Sequence, residues 1–201
     1  MDELRLQGFK CFLDKRLELN NVTILTGNNG AGKSSVIQAL LLVREAVEKC
    51  ASRDGDSWKW LKKEIALNEY RQLQLGRYDE LCHYTADGIC ISVNGVDFRV
   101  EQNEEASDGF VTLDINLEKV EQLPSFLQEE RFYYLNAERI GPRRESQVRP
   151  MAYLQSGDCG EWSGNVLLEA SRTFPKVDVK RLVDSNDPVS FNVLVDKWMS
   201  Y

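Results

Sequence analysis

A single histidine, five scattered cysteines and the want of any long apolar run set the first limits on this 201-residue chain. Cys11, Cys50, Cys82, Cys90 and Cys159 include no Cys-x-x-Cys pair. Their odd number speaks against a disulfide framework, and one His cannot complete a zinc site at such spacings. Reduced and mostly buried thiols are the expectation, following the burial habits of free cysteine. The longest apolar run, residues 39–43, falls far short of a bilayer span. The opening Met1-Asp2-Glu3-Leu4-Arg5 lacks the basic and then apolar regions of a secretion signal, which predicts a cytoplasmic chain without membrane contact. Acidic residues outnumber basic ones by 32 to 25, for a formal net charge of −7. An acidic surface disfavours non-specific nucleic-acid binding, so contact with DNA needs a local basic patch or a partner. No internal repeat or low-complexity tract is present.

What is present has an ordinary globular balance, 42% hydrophobic and 28% charged, with enough chain to bury a core. Leu4-Arg5-Leu6-Gln7-Gly8-Phe9 alternates as a strand, and Arg16-Leu17-Glu18-Leu19 reads as a second. Val22-Thr23-Ile24-Leu25-Thr26 is β-branched and nearly all apolar, as a buried central strand requires. A helix follows over 34–49, with Val36, Leu40, Val43 and Val47 at helical spacing and Ile37 and Leu41 widening the apolar face. Residues 51–63 are polar, with a turn at Asp54-Gly55-Asp56, and predict a loop and a short helix anchored by Trp58 and Trp60.

The clearest β signal lies farther on. Asn94-Gly95 suits a two-residue type I′ turn, which needs positive φ at both positions. That turn pairs Val93 with Val96, Ile91 with Phe98 and Ile89 with Val100 on one apolar face. Val111, Leu113, Ile115 and Leu117 supply a third antiparallel strand. Phe132-Tyr133-Tyr134-Leu135-Asn136-Ala137 reads as another strand, and residues 164–172 as a helix. The fold class is therefore α/β: a single lobe over 1–201 with a mixed sheet. A strand-loop-helix core occupies 1–50, an antiparallel β-meander is inserted at 85–118, and a strand, loop and helical segment fill 130–201.

The motif carrying chemistry is Gly27-Asn28-Asn29-Gly30-Ala31-Gly32-Lys33-Ser34, which matches G-x-x-x-x-G-K-[ST] in full. A loop wrapping a triphosphate must turn sharply and bring backbone N–H groups to the oxygens, and side chains at the glycines would obstruct both. Lys33 then reaches the β- and γ-phosphates, the Ser34 hydroxyl ligates Mg²⁺, and the helix N-terminus adds its partial positive charge. Its place after an apolar strand and before an amphipathic helix is the one the motif requires. The expected ligands are ATP and Mg²⁺. Hydrolysis also needs an acidic residue, typically at the end of an apolar strand. Asp114 interrupts an alternating strand, Glu169 sits in a helical pattern, and Asp184 follows only Leu182-Val183. Each reads as structural, so the catalytic acid is unassigned and the isolated chain is expected to be inactive.

Taken together, the strand at 4–9 with Lys10-Cys11-Phe12, the strand at 22–26, Gly27 to Ser35 and the helix opening Val36-Ile37-Gln38-Ala39-Leu40 resemble the N-terminus of an ABC-type ATPase of the SMC, RecF and OLD-like branch. Leu75-Gly76-Arg77-Tyr78-Asp79-Glu80-Leu81 and Tyr134-Leu135-Asn136-Ala137-Glu138-Arg139-Ile140-Gly141-Pro142-Arg143 resemble segments of bacterial, often defence-associated, members. The resemblance implies a first lobe that binds ATP through residues 27–35, with Lys10 near the nucleotide and Gln147 as the Q-loop residue. It also implies a second lobe or subunit carrying the signature and Walker B motifs, neither of which this sequence shows. ATP would draw such heads into a homodimer or higher oligomer acting in DNA maintenance or anti-phage defence.

Arg139, Arg143, Arg144 and Arg149 give the loop after residue 137 a positive field. It is either a solvated loop paired with Glu138 and Glu145 or a contact for nucleotide or DNA phosphate. Two other functions fit parts of the chain. A small nucleoside or nucleotide kinase fits the length, but such kinases usually open on the P-loop strand and lack the meander. A non-enzymatic, nucleotide-gated interaction module would suit the missing acid.

Overall fold

The computed structural model describes residues 2–54, 57–69, 73–102, 109–115, 124–127, 132–138, 140, 148, 155–179, 182, 184 and 186–200. They form two compact units, Met1–Phe132 and Tyr133–Tyr201.

The first unit combines a sheet with helices, as an α/β chain should. β1 (Asp2–Phe9) and β2 (Phe12–Leu19) make an antiparallel hairpin whose closing pair is Phe9 and Phe12. α1 (Lys33–Cys50) follows, then a small two-stranded sheet of β3 (Ala51–Asp54) and β4 (Ser57–Trp60). After β5 (Glu64–Ala66) and the single-turn α2 (Tyr78–Leu81) comes the meander of β6 (Ile89–Val93), β7 (Val96–Gln102) and β8 (Phe110–Ile115). The main sheet runs β2-β1-β6-β7-β8-β5, and all its described pairings are antiparallel.

The meander has the pairs its alternation predicts: Ile89 with Val100, Ile91 with Phe98, Val93 with Val96. All six side chains are buried. Burying a Val, Ile or Phe is worth about 1.5–3 kcal/mol, so this face fixes the register. Asn94 and Gly95 hold φ of 51° and 78° at the turn. The meander continues the sheet of the first hairpin, because β6 also pairs with β1, Leu6 opposite Ile91. α1 packs on β1, β3 and β5 and buries Val36, Ala39, Leu42, Val43, Ala46 and Val47. Of the predicted apolar face, Val36, Leu41, Val43 and Val47 are buried and Leu40 half-buried, while Ile37 is 42% exposed.

Two expectations are corrected in this unit. Residues 22–26 form no strand; Val22 and Ile24 are each 78% exposed, and Thr23 instead accepts a bond from the Asn20 amide. The segment joins neither described sheet. Ala51–Asp54 and Ser57–Trp60 pair as antiparallel strands where a loop and helix were expected, held by Trp60, whose Nε1 donates to the Leu113 carbonyl and whose ring meets Phe98 edge-on.

The second unit holds α3 (Ser163–Thr173) and α4 (Phe191–Met199), packed on each other. Residues 132–137 are not a strand: the Asn136 amide donates to the Asp158 carbonyl, a loop contact, in place of ladder bonds. No helix among the described residues is long and apolar enough to cross a membrane.

Candidate functional site

The glycine-rich loop ends where α1 begins. Gly27, Gly30 and Gly32 all hold positive φ, and Gly32, at 86°, caps the helix in the left-handed region. A Cβ on Gly32 would fall 2.5 Å from Phe12 Cζ and 2.6 Å from Cys11 Sγ, so only glycine fits between the loop and the β1–β2 turn. The Ala31 amide donates to the Asn28 carbonyl, and the first helical bond runs from Val36 N to Gly32 O. The amides of the opening turn, Lys33 to Ser35, therefore point along the helix axis with no intrahelical acceptor. No acidic residue stands in that turn. Lys33 reaches back over the loop, its Nζ donating to the carbonyls of Gly27 and Asn28 at 2.8 Å each. Positive charge from the lysine and from the helix end thus gathers at one place, and an anion with several oxygens is what such a place accepts.

Lys10 lies on the neighbouring turn in a left-handed conformation, φ 50°, with its amide bonded to the Leu81 carbonyl. Its ammonium donates to Oε1 of Gln38 at 2.9 Å, on the second turn of α1. Partial burial pulls the Lys10 pKa down, and the charge of Glu80 pulls it back up. Gln38 was not legible as part of this region from sequence, although it sits four residues after Ser34, one helical turn along. Phe12 and Cys11 were equally hidden, because only the folding of the hairpin turn brings them to Gly32.

Of the carboxylates weighed as catalytic acids, Asp114 is exposed on β8, three strands from β1, and accepts a bond from the Ile115 amide. Glu169 pairs with Arg172 on α3, and Asp184 caps a turn by accepting from the Asn186 amide. Arg139, Arg143, Arg144, Arg149 and Gln147 lie outside the described residues. All five cysteines are free: Cys50 and Cys159 buried, Cys82 and Cys90 half-buried, and Cys11 exposed.

A family model described as an AAA domain matches residues 3–147, which includes the whole glycine-rich loop, α1 and the meander. No curated protein and no solved structure matches the chain.

Proposed function

We propose that this chain, which belongs to the AAA-domain family, binds Mg-ATP through residues 27–35 as the N-terminal part of an ABC-type ATPase of the SMC, RecF and OLD-like branch. Nucleotide binding in general follows from the family; the branch, the ligand and the assembly are the proposal. What carries it is the glycine-rich loop at the head of α1, with Lys33 drawn over it.

The residues fit a triphosphate with its metal, since no acidic residue stands in the first turn of α1 and the loop glycines already hold positive φ. Lys33 would hold the β- and γ-phosphates, exchanging its bonds to the Gly27 and Asn28 carbonyls for phosphate oxygens. The Ser34 hydroxyl would hold magnesium, which supplies charge neutralisation between the β- and γ-phosphates. Lys10, released from Gln38, would approach the same nucleotide. Arg139, Arg143 and Arg144 would contact phosphate of nucleotide or DNA.

Completion by a second lobe or subunit is supported by the segment at 22–26. It is apolar, its Val22 and Ile24 are 78% exposed, and a cleft of about 750 Å³ lined by Leu19, Val22, Thr23 and Phe126 runs beside it. An exposed apolar, β-branched segment of that kind acquires ladder bonds and burial when a partner strand docks on it. The partner would also bring the signature and Walker B motifs, closing a site in which ATP draws two heads together. The assembled protein would act in DNA maintenance or anti-phage defence.

Steady-state hydrolysis tests the split. Residues 1–201 alone should show only background turnover, rising when a chain bearing the missing motifs is added. A rate near about one per second from the chain alone, linear in protein and abolished in Lys33→Ala, would contradict the need for a partner.

A further inference from the structure

We infer that Phe12 is a positioning residue for the phosphate loop: its ring, packed against Gly32, holds that glycine in the left-handed cap that aims the first amides of α1. The inference rests on the phosphate reading above and deepens it. Gly32 joins the loop to the helix at φ 86° and ψ 9°. A glycine accepts negative φ about as readily, so the residue alone does not enforce this conformation. A packing partner has to. The three loop glycines differ in that respect. No described atom beyond the chain neighbours lies within 4 Å of where a Cβ would stand on Gly30, and on Gly27 only Ala31 of the same loop does, at 3.4 Å. On Gly32 the same position falls 2.5 Å from Phe12 Cζ and 3.1 Å from Phe12 Cε2, with Cys11 Sγ at 2.6 Å. Of the three, Gly32 alone is gripped by another element.

Phe12 is itself fixed. It pairs with Phe9 across the β1–β2 turn, and Phe9 is fully buried. Directly opposite residues share a face, so the buried ring anchors the other. The segment 81–88 holds the turn in place. The Lys10 amide donates to the Leu81 carbonyl, the His83 amide donates to the Gly8 carbonyl, and a Cβ on Gly8 would stand 2.0 Å from the Gly88 carbonyl oxygen. The turn also reaches α1 one helical turn past Ser34, where Lys10 Nζ donates to Gln38 Oε1 at 2.9 Å. That bond is given up if Lys10 turns to a nucleotide, which leaves the Phe12 ring to hold the cap. The amides of Lys33 to Ser35 have no intrahelical acceptor, so the cap sets where they point. A loop that strays from this conformation binds phosphate only for the fraction of time it returns.

The experiment compares the full chain as wild type, Phe12→Leu, Phe12→Met and, as a control for stability, Ile115→Val on β8, three strands from β1. Leucine lacks the ring atoms that reach Gly32, whereas unbranched methionine keeps their reach. Each protein is titrated, well below its melting temperature, with Mg-ATP and with magnesium tripolyphosphate, which has phosphates and no base. Positioning predicts that Phe12→Leu weakens both ligands by the same factor, about fivefold, while Phe12→Met and Ile115→Val bind as wild type. Without ligand, the Val36 amide, bonded to the Gly32 carbonyl, should exchange its hydrogen faster in Phe12→Leu, with the meander amides unchanged. Wild-type affinities in Phe12→Leu, a loss confined to Mg-ATP, or an equal loss in Ile115→Val overturns the positioning role. So does an unchanged Val36 exchange rate. Wild-type protein that binds neither ligand overturns the phosphate reading itself, and this role with it, whatever the Val36 rate.

Discussion

The ammonium of Lys33 lies 2.8 Å from the carbonyl oxygen of Gly27, six residues earlier, and equally close to that of Asn28. The loop is closed upon its own lysine. Two of the three ammonium protons are occupied by neutral acceptors, which an ionised phosphate oxygen outcompetes, since charge-assisted bonds are roughly twice as strong. The resting loop is thus already shaped around the charge that the ligand would claim.

Gly32→Ala should disrupt both stability and binding. The added methyl meets Phe12 and Cys11 well inside contact distance, and φ of 86° strains any L-residue. Together these should cost about 2–4 kcal/mol. If the clash with the ring is the main cause, Phe12→Leu in the same chain should restore part of the melting temperature. Additive losses in the double variant would refute that cause.

Glu45 should lower stability at neutral pH. It is 1% exposed in the middle of α1, its Oε2 has no partner, and its other oxygen meets Lys49 at 2.7 Å. Burial raises its pKa above the ordinary 4.5, with Lys49 opposing the shift. Between those two values the folded state keeps a proton that the unfolded state has released, so stability falls as pH rises through the window. Glu45→Gln should therefore be more stable than wild type at pH 7, by about 1 kcal/mol. The gain should shrink as pH falls toward 4.5. Thermal melts at several pH values check this, and a gain that grows in acid would show the wrong sign.

Ile24→Lys should leave the melting temperature of the isolated chain within about 0.5 kcal/mol of wild type, because the side chain is 78% exposed. It should abolish assembly with a second lobe or subunit, measured by sedimentation with Mg-ATP present. Assembly unaffected by the charge would remove the 22–26 segment from the interface.

How much of this was readable in advance differs from element to element. The register of Ile89, Ile91 and Val93 against Val100, Phe98 and Val96 was legible because two-residue alternation and the Asn94-Gly95 turn state it twice. The loop at Gly27 to Ser34 was legible because the glycines keep a fixed spacing from Lys33. Residues 22–26 misled because an apolar β-branched run specifies a buried strand only where it is paired into a sheet, and this segment joins neither described sheet. The hairpin of β3 and β4 was missed because Ala51-Ser52-Arg53-Asp54 has no apolar alternation; Trp60 is fixed by Leu113 and Phe98, more than 35 residues later in the chain. Gln38 and Cys11 carry no motif, and only folding places them near the loop or the turn beside it.

Titration calorimetry of the full chain with Mg-ATP decides whether the loop at 27–34 is a phosphate cradle. Wild-type protein should bind, and Lys33→Ala, shown to be folded by its circular dichroism and melting temperature, should bind at least about tenfold more weakly, a loss of ~1.4 kcal/mol. A folded Lys33→Ala protein with the affinity of wild type would contradict the assignment.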